Sequence, residues 1–418
     1  MEKDDIMSIH AQDIEYSAQG SEDIEKDSKL ENFEIDDKEP VLGPNELYPP
    51  DRGWRRLIDY SPSTIAWISS IEMFIIVFLG IIVGPVYDIV GPKPLVYPGT
   101  ILMAVGMMMT SLCTEFYQFI LAQAICTGIG SALLLNPCFS AVSAWFMHSR
   151  ATALGITTAG ASTGGVIIPI VFRKIEVQAG FAWSMRVVAF LSLALGLTSC
   201  ACISSRIKPP GRRTIPFKRT YVYPFKNIPF SLASLAVFIL FFAAYVPNNY
   251  IPSFAVYNGF SPSMGAYLSS IQNAGSTLGR ILPGIAADRV GRFNMYIGSS
   301  IITTAVLLAF WLTSTGHVPI IIFSGLYGFV AGPVMSVWQS MIAEVSPPEE
   351  MGARLGMVNA ISAFSCLCGI PIAGAILDGN GGKYTGMAIY TAVLMLTSGA
   401  IATLARLYYT NGVVFVRK

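Results

Sequence analysis

Residues 61–91 read SPSTIAWISSIEMFIIVFLGIIVGPVYDIVG, and residues 261–291 read SPSMGAYLSSIQNAGSTLGRILPGIAADRVG. Set over one another at an offset of 200 with no gap, the two stretches share 12 of 31 positions. The shared residues include Ser69-Ser70-Ile71 against Ser269-Ser270-Ile271. They also include Gly84, Asp88 and Gly91 against Gly284, Asp288 and Gly291. Each stretch is a long apolar run closed by an acid and a glycine. A repeat on this scale, built from membrane-length segments, is the mark of a carrier made of two parallel halves.

The rest of the chain supports a membrane solvent. It has 418 residues, 53% hydrophobic and 13% charged, where a soluble domain carries about a quarter charged residues. Runs of about 20 apolar residues suit a bilayer span. Eleven are expected, at 64–87, 94–113, 116–145, 151–175, 182–204, 230–252, 263–287, 293–314, 318–343, 352–377 and 385–409. The expected fold is therefore all-α and polytopic. Asn136-Pro137 and Gly332-Pro333 are expected kink sites.

Charge divides the chain. Seventeen of the 26 acids lie in residues 1–60, so this acidic stretch without apolar periodicity is expected to be a disordered tail. No signal peptide is visible in it. Between residues 205 and 229 stand Arg206, Lys208, Arg212, Arg213, Lys218, Arg219 and Lys226 with no acid, which assigns that segment to the cytoplasm. The organisation expected is a tail (1–60), a bundle of five spans (61–204), a basic linker (205–229), a bundle of six (230–410) and a short tail (411–418). The repeat implies a sixth helix in the first bundle. Its place, about 30–52, reads too acidic to cross a membrane.

Gly84-Pro85-Val86-Tyr87-Asp88-Ile89-Val90-Gly91 and Gly284-Ile285-Ala286-Ala287-Asp288-Arg289-Val290-Gly291-Arg292 resemble the G-x-x-x-D-x-x-G-R loop of the major facilitator superfamily. Asp51-Arg52-Gly53-Trp54, Tyr60 to Ile68, Arg150 to Gly155 and Gly160 to Pro169 resemble its fungal monocarboxylate-porter-like members. The resemblance covers about residues 51–410. It implies alternating access by two pseudo-symmetric bundles, about eleven helices here (twelve minus the first), and a small organic solute: a monocarboxylate, vitamin or secondary metabolite, taken up or expelled. It also implies that Gly84, Asp88, Gly91, Gly284, Asp288, Gly291 and Arg292 form conformational latches, each Asp capping or pairing with the start of a neighbouring helix. Two departures bear on mechanism. The lysine that animal monocarboxylate carriers hold in their first helix has no counterpart. Ser276 stands where their eighth helix has an Asp, four residues before Arg280.

Depth in the membrane selects the other candidates. Arg280 lies about 8 residues inside Asp288, roughly 12 Å along a helix. A charge there must face water or a partner, and a guanidinium suits a carboxylate. It is expected to anchor an anionic solute, or else to be a structural pair. Glu72 is the one acid well inside a span. It is the candidate for proton coupling, or else a neutral hydrogen-bonded partner like its repeat mate Gln272. Gln272, Asn273, Asn136, Gln339 and Asn359 are expected along the substrate cavity. Gly160, Gly164 and Gly165 in one span, and Gly325, Gly328 and Gly332 in another, are expected where helices approach closely.

No P-loop, metal-ligand spacing or nucleophile–base pair is present, so neither an enzyme nor a cofactor is expected. The seven cysteines all sit in or at the ends of apolar runs. Partners expected are the solute, with or without a proton, and the lipid bilayer. Nucleic acid is not expected, and the chain is expected to be monomeric. The plasma membrane is the expected location, a vacuolar or other organelle membrane the alternative. A transporter-derived sensor or inactive isoform is the alternative function.

Overall fold

The computed structural model describes residues 62–206, 218–314 and 316–413. The expectations for the acidic tail, for the entry motif Asp51 to Tyr60 and for the place of a further helix lie outside the described residues, as does the middle of the basic linker.

Among the described residues the regular structure is helical. In chain order the segments are α1 (Trp67–Val90), α2 (Lys93–Thr110), α3 (Phe116–Trp145), α4 (150–179), α5 (181–202), α6 (Ile228–Tyr257), α7 (Pro262–Val290), α8 (Arg292–Trp311), α9 (His317–Glu344), α10 (Met351–Gly379) and α11 (Thr385–Tyr409). The segments α4 and α5 are one run, Arg150–Cys202, broken at Gly180, whose φ of 81° and ψ of 172° leave helical geometry. Its 53 residues would reach about 80 Å if straight, against a hydrocarbon core of about 30 Å. Glycine makes the reversal there because it tolerates positive φ.

Eight of the described helices are long and apolar enough to cross a membrane, counting α4 and α5 as one. Two further segments fall short by composition. The α2 helix opens on Lys93, has 18 residues and contains Pro98. The α7 helix holds Arg280, Asp288 and Arg289. Both still sit in the bundle, α2 against α3 and the α4–α5 run, α7 against α9 and α4. Pro137 and Pro333 lie inside helices that continue through them. Local widening occurs instead at Ile120–Thr127 and Leu307–Trp311, which are π-helical.

Burial is uneven. A continuous core runs through α6 to α11, built on side chains such as Phe230, Leu240, Tyr296, Phe323 and Met341. The helices α1 to α5 hold two small clusters, around Ile68, Phe119 and Ala124 and around Val83, Tyr87, Leu95 and Ala141. The two parts of the chain meet along repeat-related pairs. The end of α1 packs on α10, and α7 packs on α4. After α5, Arg206 donates to the Ala144 carbonyl at 3.2 Å. Tyr221 donates to the carbonyl of Ile81 at 3.1 Å, which ties the linker to α1.

Candidate functional site

A cavity of about 740 Å3 lies between the two sets of helices, within the range of drug-sized binding sites. Its walls come from α1 to α7, α9 and α10. Arg280 is the only charged side chain lining it among the described residues. The α7 helix carries Arg280 on the same face as Gln272, Asn273 and Ser276, because residues three, four and seven apart share one side of a helix.

Arg280 is held rather than free to swing. Nη1 donates to the carbonyl of Thr158 on α4 at 2.6 Å, and Nε to Ser276 Oγ at 3.2 Å. Ser162 Oγ donates in turn to Ser276 Oγ at 3.2 Å. A guanidinium has five N–H donors, so donors remain for an anion. Among the described residues no carboxylate pairs with Arg280. Ser276, four residues before it, offers a hydroxyl, which orients the cation without neutralising it.

Around Arg280 are polar atoms with unspent capacity. Gln272 Nε2 donates to Asn248 Oδ1, but Gln272 Oε1, Gln339 Oε1 and the Tyr327 hydroxyl are buried and have no hydrogen-bond partner among the described residues. All three side chains line the cavity. Buried polar atoms without partners are costly, and a solute's polar head offers them partners. Tyr327 was not singled out from sequence. Its signal was a phenol amid an apolar span, where the hydroxyl needs a partner.

The other candidates fall in several places. Asn273 lines the cavity, donates to the Ser269 carbonyl at 3.0 Å and stands over Gly165. Asn359 lines it too and donates to Asn136 Oδ1 at 3.0 Å. Asn136 itself lies behind the wall, bonded also to Ala132, and links α3 to α10. Glu72 is outside the cavity lining. Its carboxylate accepts from Gln123 Nε2 on α3 at 3.3 Å.

The two repeated loops make two crossed contacts. Asp88, at the end of α1, accepts from the Gly352 and Ala353 amides at 2.9 and 2.7 Å. Asp288, at the end of α7, accepts from the Ala151 and Thr152 amides at 3.0 and 2.8 Å and from the Thr152 hydroxyl at 2.7 Å. Each Asp therefore caps a helix of the opposite repeat, α10 and α4, where free N–H groups and the helix dipole favour a negative charge. The Asp reaches its target because small residues let the backbones touch. A Cβ on Gly84 would strike the Gly352 carbonyl, one on Gly356 the Gly80 carbonyl, and one on Gly155 the Arg280 carbonyl. Gly91 and Gly291 turn the chain immediately after, at φ 80° and 103°.

The two caps are not equal. Arg292 donates to the Met147 carbonyl at 2.6 Å and lies 3.6 Å from Asp288 and 3.8 Å from Glu344. The residue 200 positions earlier is Pro92, which has no side-chain charge or donor.

The glycine expectation needs one correction. Gly160 has nothing near it and Gly164 meets only Ile168 of its own helix. The packed stripe of α4 runs through Ala151, Leu154, Gly155, Thr158 and Ser162, so Gly160 and Gly164 fall on another side of the helix. Gly328 and Gly332 do meet α7 backbone, at Gln272 and Gly279. Among the described residues no His, Cys, Asp and Glu group could hold a metal.

Comparison with known proteins adds the following. The model of the Major Facilitator Superfamily matches residues 53–254 and 233–413. An "MFS-type transporter" of Gibberella moniliformis is 40% identical over 357 residues, 85% of this chain and 86% of that protein. The "Fujikurins efflux protein" of Gibberella fujikuroi is 37% identical over 356 residues, 85% of this chain and 76% of that protein. The "Aspyridones efflux protein apdF" of Emericella nidulans is 38% identical over 359 residues, 85% of this chain and 72% of that protein. Among solved structures, FucP in the outward conformation superposes with a TM-score of 0.67 at 14% identity, covering 83% of this chain and 91% of that one. The human organic anion transporter MFSD10 gives 0.66 at 15% identity, covering 80% and 82%. These two likenesses concern the fold.

Proposed function

The chain belongs to the Major Facilitator Superfamily, and we propose that within it this protein expels an acidic, amphipathic secondary metabolite by alternating access. It is an integral, multi-pass membrane protein and a transporter of small organic solutes. The single observation that carries the finer proposal is Arg280: a cation lining the cavity, oriented by Ser276 and Thr158, with no carboxylate partner among the described residues. The efflux direction takes its support from relatives named for the efflux of fujikurins and aspyridones.

In this proposal the acid head meets Arg280, Gln272, Gln339 and Tyr327, with Asn273 and Asn359 beside them. The two bundles, 61–204 and 230–410, rock about the cavity. With Asp88 on α10 and Asp288 on α4, the face bearing the basic linker is closed; opening it breaks both caps. Glu72 is the candidate for coupling to a proton, acting from behind the cavity wall with Gln123. The fungal monocarboxylate-porter-like motifs support the acid cargo; the plasma membrane is the proposed location, the monomer the proposed working unit, and a first bundle one helix short of the second the proposed architecture.

The test is efflux of a panel of radiolabelled metabolites from cells expressing the full chain, acids against neutral analogues of the same skeleton. Acids leaving faster than their neutral analogues, an advantage lost in Arg280→Gln, support the proposal. Equal efflux of acid and neutral forms in the unsubstituted protein would sink it.

A further inference from the structure

The repeat also relates α5 to α11, through the helices each packs on. Gly196 on α5 abuts the Thr100 side chain of α2, and Gly399 on α11 abuts Ser300 of α8. Thr100 and Ser300 are repeat mates 200 apart, so Gly196 and Gly399 mark equivalent positions 203 apart. One heptad of α11 then has named counterparts on α5: Met395 with Ser192, Ser398 with Leu195, and Ala402 with Ser199.

Among the described residues these counterparts have opposite surroundings, the first repeat's counterpart of α6 lying outside them. Met395, Ser398 and Ala402 are 1%, 0% and 0% exposed. The helix α6 covers them, and Ser398 Oγ donates to the Ala236 carbonyl of α6 at 2.7 Å. Ser192, Leu195 and Ser199 line the central cavity, and Leu195 is 63% exposed. The same holds one helix over. Thr303 of α8 is fully buried, donating to the Val330 carbonyl, while its repeat mate Met103 of α2 lines the cavity.

The cavity is thus two-faced. Its α7 and α9 wall carries Arg280 and the unpartnered oxygens of Gln272, Gln339 and Tyr327. On the α2, α3 and α5 side it forms a bay lined by Met103, Leu134, Leu135, Cys138, Phe139 and Leu195 together with the hydroxyls of Ser131, Ser192 and Ser199, and among the described residues no charged side chain borders it. We infer that this bay is a subsite for the hydrocarbon part of the transported solute. The inference rests on the acidic-head assignment only for the solute's orientation, head on the second repeat and tail on the first. Continuity with the cavity around Arg280 identifies the occupant, since one amphipathic molecule satisfies both walls. Burial of apolar surface supplies affinity in proportion to the tail that fits.

The test uses two homologous series, n-alkanoates from butanoate to dodecanoate and the matching n-alkanols. Their binding to the purified full chain in lipid nanodiscs is measured by equilibrium dialysis, with empty nanodiscs subtracted. Affinity in both series is expected to rise roughly three- to fourfold per methylene until the bay is full, the equivalent of about 0.8 kcal/mol each. Leu195→Trp and Ser199→Phe, which fill the bay, lower the long members far more than the short ones. Leu195→Ser, which places there the residue found at position 398, flattens both series without added bulk. Arg280→Gln weakens every alkanoate by one factor and leaves the alkanols alone. An increment per methylene that is the same in all three bay variants overturns the inference, and so does binding independent of chain length, which would assign the bay to lipid. If only the Arg280→Gln result fails, the acidic-head assignment falls and the bay stands on the alkanol series.

Discussion

Removing the Asp88 carboxylate tests the crossed caps most directly. In Asp88→Ala the Gly352 and Ala353 amides lose acceptors at 2.9 and 2.7 Å, and the α10 N-terminus loses a favourable charge. A helix cap of this kind is worth about 2 kcal/mol at the strong end of the measured range. At about 1.4 kcal/mol per decade, the closed arrangement of this face loses roughly 30-fold in its equilibrium with the open one. Asp288→Ala removes three acceptor contacts, so its shift is at least as large. The caps share no partner, so the two losses should add. The readout is the distance between spin labels on exposed residues flanking each contact: Val90 with Glu349, and His148 with Val290. They are introduced after replacement of the seven cysteines. Each single variant widens the distribution at both contacts, because rigid bundles open together, and slows transport without reducing membrane insertion. Unchanged distributions and unchanged transport kinetics in the double variant would refute the latch.

Further outcomes follow from the same geometry. Gly356→Ala and Gly155→Ala push a methyl group into the carbonyls of Gly80 and Arg280; each should open the face that the aspartates close, seen as wider label distances at both contacts. Arg292→Ala removes the donor to the Met147 carbonyl, which joins the two bundles beside the Asp288 cap; both label distances should widen, by less than in either aspartate variant, and unchanged distances would remove that role. Arg280→Lys should cost at least about tenfold in apparent affinity for an acidic solute, since an ammonium cannot reproduce the guanidinium's fork; equal affinity removes the anchor. With Glu72 as the coupling group, Glu72→Gln should give transport that no longer varies with external pH, and a retained pH profile assigns coupling elsewhere.

Much of this protein was legible along the chain, for identifiable reasons. A membrane span must be long and apolar wherever it sits, so α1 to α11 fall close to the eleven expected runs. Asp88 and Asp288 announced themselves by recurring 200 residues apart beside glycines. Arg280 did so because a charge at that depth needs a purpose. What a helix's own residues cannot reveal is which neighbour lies across from each side. Gly160 and Gly164 have the packing spacing, yet among the described residues neither meets a neighbouring helix, whereas Gly155, in the equally spaced series Ala151, Gly155 and Ala159, touches the Arg280 backbone. Asn136 and Asn359 looked like two cavity residues and are bonded to each other. Glu72, the one acid deep in a span, pairs with Gln123 behind the wall rather than lining the cavity.

The sequence by itself determined the solvent, the helices and the twofold plan, because bilayer thickness and hydropathy act residue by residue along the chain. Tertiary structure alone decided that each Asp caps the opposite repeat, that Arg280 is held by the Thr158 carbonyl, and that Leu195 borders a cavity where Ser398 is sealed. Those outcomes depend on contacts between residues more than a hundred positions apart, and the spacing within a single span carries no record of them.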